Sequence, residues 1–252
     1  MQLLNHIQHL EAFETPYYYY DLDHLRKTLD ALTHAASRYG DTIHYALKAN
    51  TDDRVLQVIR KAGLGADCVS GNEVRKALET GFDPDLVFFA GVGKTDSEIR
   101  TGIEGRIGCF NCESLEEMEV LNQLAAEADR EIPVAFRINP NIRSDTHQYI
   151  TTGSRDNKFG IQAWELETAL DLIPRLTYLK LVGLHVHVGS QIIDMGVFRN
   201  LCQKVNELNR FILDRGFRIS IINLGGGLGI DYHQPDRHSI PDFNAYFRLI
   251  HS

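Results

Sequence analysis

One pattern restricts the fold of this chain more than any other: short apolar runs alternate with amphipathic helical stretches from about residue 43 to the end. Runs at 43–48, 66–69, 86–90, 107–110, 134–138, 181–188 and 219–224 have the length of buried strands. Helical patterns follow them, several opened by a cap and closed by a glycine. Ser70-Gly71-Asn72-Glu73 and Thr95-Asp96-Ser97-Glu98 have capping-box spacing, Ser114-Leu115-Glu116-Glu117 opens a helix the same way, and Gly63, Gly81 and Gly216 stand at helix ends. Strand–helix repetition of this kind builds a parallel sheet with helical crossovers. Seven such units predict an α/β fold, a (β/α)8 TIM-type barrel lacking its final strand; an open doubly wound sheet is the alternative. Upstream, Tyr17 to Tyr20 read as a strand because aromatics favour it, and Asp21 caps a helix that ends before Gly40. The expected division is an N-terminal strand and helix over 1–42 and a barrel over 43–252, with no Pro-, Gly- or Ser-rich linker to split it. Pro241 is expected in the first turn of the last helix.

Composition excludes several classes. The 252 residues are 43% hydrophobic and 24% charged, ordinary for a globular domain. The net charge is −8 with no basic run, which argues against a nucleic-acid partner. No apolar stretch is long enough to cross a bilayer and the N-terminus has no signal-peptide pattern, so the cytoplasm is the expected location. Of the four cysteines, Cys109 and Cys112 have a C-x-x-C spacing without a second pair, and a buried thiol suits Cys109 in its apolar run better than zinc or redox chemistry.

In α/β folds chemistry gathers where strands end. Lys48 closes the run at 43–48, where a lysine points toward a site rather than simply snorkelling to water. His185 and His187 alternate on a later strand and so share a face. Gly225, Gly226, Gly227 and Gly229 follow the last strand, and backbone amides without a Cβ approach an anion closely. A desolvated lysine condenses with an aldehyde, and the glycine loop calls for a phosphate on that aldehyde. Pyridoxal 5'-phosphate meets both demands. Ser190 adds a hydroxyl, and Lys158 is a rim candidate or a plain surface charge. Asp67 orients a lysine or arginine, or hydrogen-bonds the next turn; Arg137 is a charge partner for it. Glu73 is read as part of a capping box. A metal pair and a pair of satisfied core histidines compete for His185 and His187, and no metal site is expected.

These residues together resemble the alanine-racemase-like, fold-type III pyridoxal-phosphate enzymes, and within that group the diaminopimelate decarboxylases. The resemblance rests on Tyr-Ala-Leu-Lys-Ala-Asn at 45–50, His-Val-His-Val-Gly-Ser-Gln at 185–191 and Gly-Gly-Gly-Leu-Gly at 225–229. His-Gln-Tyr-Ile at 147–150, Thr152-Gly153 and Asn-Lys-Phe-Gly-Ile at 157–161 favour the diaminopimelate over the ornithine type. The resemblance implies a Schiff-base role for Lys48, ring stacking for His187 and phosphate contacts for the glycine loop. It implies decarboxylation of meso-2,6-diaminopimelate to L-lysine in a homodimer whose sites are shared between subunits. The alternatives are a non-catalytic pyridoxal-phosphate-binding barrel and an ornithine- or arginine-type decarboxylase. The family's Glu-Pro-Gly-Arg segment and C-terminal β-domain have no counterpart before Ser252. The chain is therefore expected to be the N-terminal barrel portion of a longer protein and not to turn over substrate alone.

Overall fold

A computed structural model of the chain describes residues 13–140, 159–234 and 239–252. The first helix, α1, is Leu22–Ser37. Asp21 caps it, its carboxylate accepting from the backbone N–H of Asp23 (3.0 Å) and His24 (2.9 Å). The repeating units follow: β1 (His44–Ala46), α2 (Asp53–Lys61), β2 (Gly65–Cys68), α3 (Gly71–Thr80), β3 (Val87–Phe89), α4 (Asp96–Glu104), β4 (Cys109–Cys112), α5 (Leu115–Glu127) and β5 (Ile132–Asn139). Then come β6 (Ile161–Gln162), α6 (Leu166–Leu172), β7 (Leu179–His185), α7 (Met195–Asp214), β8 (Ile221–Asn223) and α8 (Phe243–Ile250).

Among the described residues all strand pairs are parallel, in the order β1-β2-β3-β4-β5-β7-β8, with the two-residue β6 pairing only β5. Each crossover between neighbours in that order contains a helix, as parallel pairing requires. The caps drive this alternation. Ser70 accepts from Glu73 N, Ser114 from Glu117 N (3.1 Å), and Thr95 and Glu98 form a reciprocal box. Gly81, at φ +88°, ends α3 in the left-handed region that a side chain would resist.

The two faces of the sheet differ. Outward residues (Leu47, Ala66, Phe89, Phe110, Phe136, Leu184) pack against the helices in one large core, which also takes Leu29, Ala35 and Ala36 of α1. Phe89, Phe110 and Phe136 are almost fully covered, and truncating any of them to alanine costs about 3–5 kcal/mol. Inside the curve of the sheet, the apolar packing is small: Phe88, Cys109 and Ala135, with Val182 and Ile221 beside them. Registers Asp67↔Phe88↔Cys109 and Asn111↔Ala135↔Gly183↔Ile221 put these residues on one face. The inner face turns polar toward the strands' C-terminal ends.

Three local expectations are corrected. Tyr17 to Tyr20 form no strand; they are exposed and join no ladder, because aromatic propensity makes a strand only where a neighbour accepts its hydrogen bonds. Pro241 precedes α8 rather than starting it; the cap is Asp242, whose carboxylate accepts from Ala245 N (2.9 Å). The run at 43–48 is strand only to Ala46, and Leu47–Ala49 forms a 3-10 turn closed by Asn50 N to Leu47 O (3.1 Å). Cys109 and Cys112 are buried free thiols.

Candidate active site

Lys48 sits in the turn after β1. Leu47 on one side of it is fully buried in the core, and Asn50 on the other is tied by Tyr45 Oη to its carbonyl (3.3 Å) and by Asp52 N to its side chain (2.8 Å). The turn is thus held on both sides of the lysine. Lys48 itself is exposed, contrary to the desolvated lysine expected from the apolar run. The apolar run leaves the sheet after Ala46, and in the 3-10 turn that follows Leu47 takes the buried position while Lys48 stands out at the strand end. Its charge is still felt by its neighbours: Lys48 opposes the effect of burial on Asp67 and adds to that of burial on both histidines.

Asp67 lies on β2 beside Ala46. Burial pushes its carboxyl up to about 6 despite the attraction of Lys48 and Arg137. The sequence paired Asp67 with Arg137, and the structure does not. Arg137 Nη1 donates to Glu113 Oε1 at 2.6 Å, and the same oxygen accepts from Gly91 N at 2.8 Å. Glu113, one residue past β4, reaches Arg137 at the end of β5 across the adjacent ladder. The Phe159 ring covers the guanidinium at 5.6 Å.

His185 ends β7 and is buried; burial and then Arg137 hold its imidazole well below the usual range. His187 lies two residues beyond the strand, half-buried. Its Nδ1 is 2.9 Å from Gly225 O. A carbonyl only accepts, so Nδ1 carries the proton and Nε2 its lone pair in the neutral ring. Burial and Arg137 lower the His187 pKa, so this neutral form is favoured.

The glycine loop is shaped by close approach. Gly225, Gly226 and Gly227 have φ of +65°, +69° and +103°. A Cβ on Gly225 would lie 2.6 Å from Val186 O, and one on Gly227 2.5 Å from Gly189 O. One on Gly226 would meet nothing within 4 Å, so this residue faces open space. Asn223 Oδ1 accepts from Gly225 N (2.9 Å). Ile192 and the glycine loop exchange backbone bonds, Ile192 N to Gly227 O and Gly229 N to Ile192 O, both 2.9 Å. The loop bearing exposed Ser190 is thereby laid alongside the glycine loop.

The strand ends therefore bring Lys48, Asp67, Arg137, His185, His187, Ser190 and Gly225 to Gly227 to one end of the sheet. Glu73 accepts from Val69 N (2.8 Å), a helix-entry role close to the capping reading. Lys158 and the motif at 147–157 lie outside the described residues. Asn111, Glu113 and Lys94 escaped the sequence reading. Glu113 carried the same signal as Lys48, a charge just past an apolar strand; Lys94 lies in a polar loop and shows no such mark. Both amide atoms of Asn111, Glu113 Oε2 and His185 Nδ1 are buried with no hydrogen-bond partner among the described residues. Among the same residues no three His, Cys, Asp or Glu side chains gather to hold a metal ion, and no helix is long and apolar enough to cross a membrane.

Residues 22–252 match the family described as pyridoxal-dependent decarboxylase, pyridoxal binding domain. A diaminopimelate decarboxylase of Bacteroides thetaiotaomicron is 48% identical over 242 residues, covering 96% of this chain and 63% of the relative. The structure of diaminopimelate decarboxylase from Helicobacter pylori complexed with L-lysine aligns with a TM-score of 0.89 at 31% identity, over 98% of this chain and 62% of the other. The structure of diaminopimelate decarboxylase from M. jannaschii in complex with L-lysine gives 0.88 at 33% identity, over 97% and 58%. The chain thus spans less than two thirds of the length of these relatives. A parallel sheet with a lysine, a histidine and a glycine loop at its strand ends, matched over nearly its whole length, belongs to the pyridoxal-dependent decarboxylase family and carries that family's pyridoxal-binding domain.

Proposed function

We propose that this chain is the cofactor-holding part of a decarboxylase that converts meso-2,6-diaminopimelate to L-lysine with pyridoxal 5'-phosphate, working as a cytoplasmic homodimer. The observation that carries the reading is the His187–Gly225 contact. It joins the imidazole to the glycine loop at the same end of the sheet as Lys48. The residues suit the cofactor's chemistry. Three consecutive glycines at positive φ, one of them facing open space, leave room for a phosphate at backbone amides. The names of the relatives and the L-lysine in the Helicobacter structure support the choice of substrate.

In this reading Lys48 is the residue that would hold the cofactor's aldehyde, and the anchored turn sets where its amine stands. His187, with its Nδ1 proton committed to Gly225, keeps its ring in one orientation, as a stacking face needs. Ser190 and the amides at Gly226 and Gly227 would hold phosphate, with Gly225 shaping the loop while its own amide serves Asn223, and Asp67 and Arg137 would set the charge around the bound cofactor. Bound there, the cofactor supplies an electron sink for the carbanion left when carbon dioxide departs. The protein's share would be orientation of the substrate against the bound cofactor.

The test has two parts. The protein is incubated with pyridoxal phosphate, reduced with borohydride and mapped by mass spectrometry. The expected result is a pyridoxyl adduct on Lys48; an adduct only on other lysines, or none, overturns the reading. With the protein in its native reading frame, carbon dioxide release from diaminopimelate is expected to exceed that from ornithine and arginine by at least about tenfold, a difference of ~1.4 kcal/mol in transition-state binding. Equal rates would refute the substrate assignment.

A further inference from the structure

The ends of β3, β4 and β5 carry a buried charge network, running from beneath α5 to Arg137, in which Lys94, Glu113 and Glu117 have no role above. Lys94, with a side chain only 1% exposed, donates to Gly91 O (2.8 Å), Asn111 O (2.9 Å) and Glu117 Oε1 (2.5 Å). The other oxygen of Glu117 accepts from Glu113 N at 2.7 Å. Glu113 Oε1 then accepts from both Gly91 N and Arg137 Nη1. Gly91 is thus gripped at its carbonyl by Lys94 and at its amide by Glu113. The chain of contacts runs from α5 through the ends of β3 and β4 to the guanidinium on β5.

A buried ion pair of this kind adds little net stability, since desolvating two charges cancels most of their attraction. What it does fix is position. Glu113, with a side chain 3% exposed, cannot turn away to water, and Arg137 is held between its carboxylate and the Phe159 ring. The β5–β7 register sets His185 directly beside Arg137, and His187 follows on the same face. We infer that Glu113 is the positioning residue that holds Arg137 at the floor of the site and balances its charge beneath His187, leaving Asp67 to face Lys48.

The inference rests on reading this cluster as the cofactor site, yet its consequence is measurable without cofactor. His187 is faced by Arg137, Lys48, Glu113, His185 and the Gly225 carbonyl. Loss of the Glu113 charge leaves Arg137 unbalanced and lowers the His187 midpoint further. Mere loosening of the site admits water and raises it toward the ordinary value. The two accounts therefore predict opposite signs.

The experiment compares the wild-type protein with Glu113→Gln and Glu113→Asp by NMR, free of cofactor. The His187 ring is followed through a pH titration. The Arg137 side-chain N–H signals are followed by exchange and assigned by their loss in Arg137→Lys. In Glu113→Gln the His187 midpoint is expected to fall by roughly half a pH unit or more, the effect of one charge lost in a medium of intermediate dielectric. Arg137 N–H exchange is expected to accelerate about tenfold, the consequence of weakening its hold by ~1.4 kcal/mol. Glu113→Asp, which keeps the charge, is expected to restore most of both. An unchanged or raised His187 midpoint in Glu113→Gln, or Arg137 exchange as slow as in the wild type, overturns the inference. If Glu113→Gln does not fold, Glu113→Asp decides alone: wild-type values uphold the charge role, and a midpoint raised to the ordinary value refutes it. Borohydride labelling of Lys48 in the wild type tests the cofactor site itself, so failure of either idea is seen separately.

Discussion

Replacing Asp67 by asparagine should make the folded protein more stable at neutral pH, even though it removes a residue of the site. The carboxyl is held at about 6 against an ordinary 3.8, with burial as the largest cause and Lys48 and Arg137 only partly compensating. Folded protein therefore binds this proton more tightly than the unfolded chain does. Stability from the group is fully present below the unfolded value and is lost as pH rises through about 6. A shift of about two units amounts to about 3 kcal/mol. The amide introduced by Asp67→Asn never ionises, so the variant escapes that loss. Urea unfolding followed by circular dichroism at several pH values gives the test. The stability difference, variant minus wild type, should be near zero at about pH 4 and grow to about 3 kcal/mol by about pH 7.5, with most of the change between about pH 4 and 6. Taking the difference removes His185 and His187, whose depressed pKa values act in both proteins with the opposite sign. A difference that is flat with pH, or that shrinks as pH rises, would refute the argument that Asp67 is an ionised group carried at a cost. The proposed cofactor role of Asp67 adds a second outcome: the same variant should label less at Lys48 in the borohydride experiment.

Other substitutions separate conformation from contact. Gly227→Ala drives a Cβ to 2.5 Å from Gly189 O at φ +103°, whereas Gly226→Ala meets open space and suffers only a left-handed backbone. Thermal melting should show a loss of about 1–2 kcal/mol for Gly226→Ala and clearly more for Gly227→Ala, and equal losses would contradict the packing described. Lys94→Met strands the Glu117 carboxylate in a buried setting and should cost about 3–5 kcal/mol. Adding Glu117→Gln should recover part of it, and chemical denaturation of the double variant reads the recovery; no recovery would mean that the charges are not coupled. Truncating His187 to alanine should weaken pyridoxal-phosphate binding, read by equilibrium dialysis, more than truncating exposed Ser190, because the imidazole bonds the glycine loop.

Much of this molecule was legible because its signals are local. Ser70, Thr95 and Ser114 cap the amides that follow them within a turn, and apolar runs declare strands by their own length. The rule that chemistry sits where parallel strands end grouped Lys48, His187 and Gly225 to Gly227 in advance, and the structure sets them at the same end of the sheet. Tertiary structure decided what depends on partners far apart in the chain. Tyr17 to Tyr20 have the residues of a strand but no ladder to join, so they are not one. Lys48 follows an apolar run yet is exposed, because the chain leaves the sheet at Ala46 and only Leu47 of the turn that follows packs into the core. Arg137 chose Glu113 over Asp67, since register sets the end of β4 beside β5 while two strands intervene before β2. Charge pairing is a matter of a few ångströms, and such distances between strands exist only after the helices have packed them.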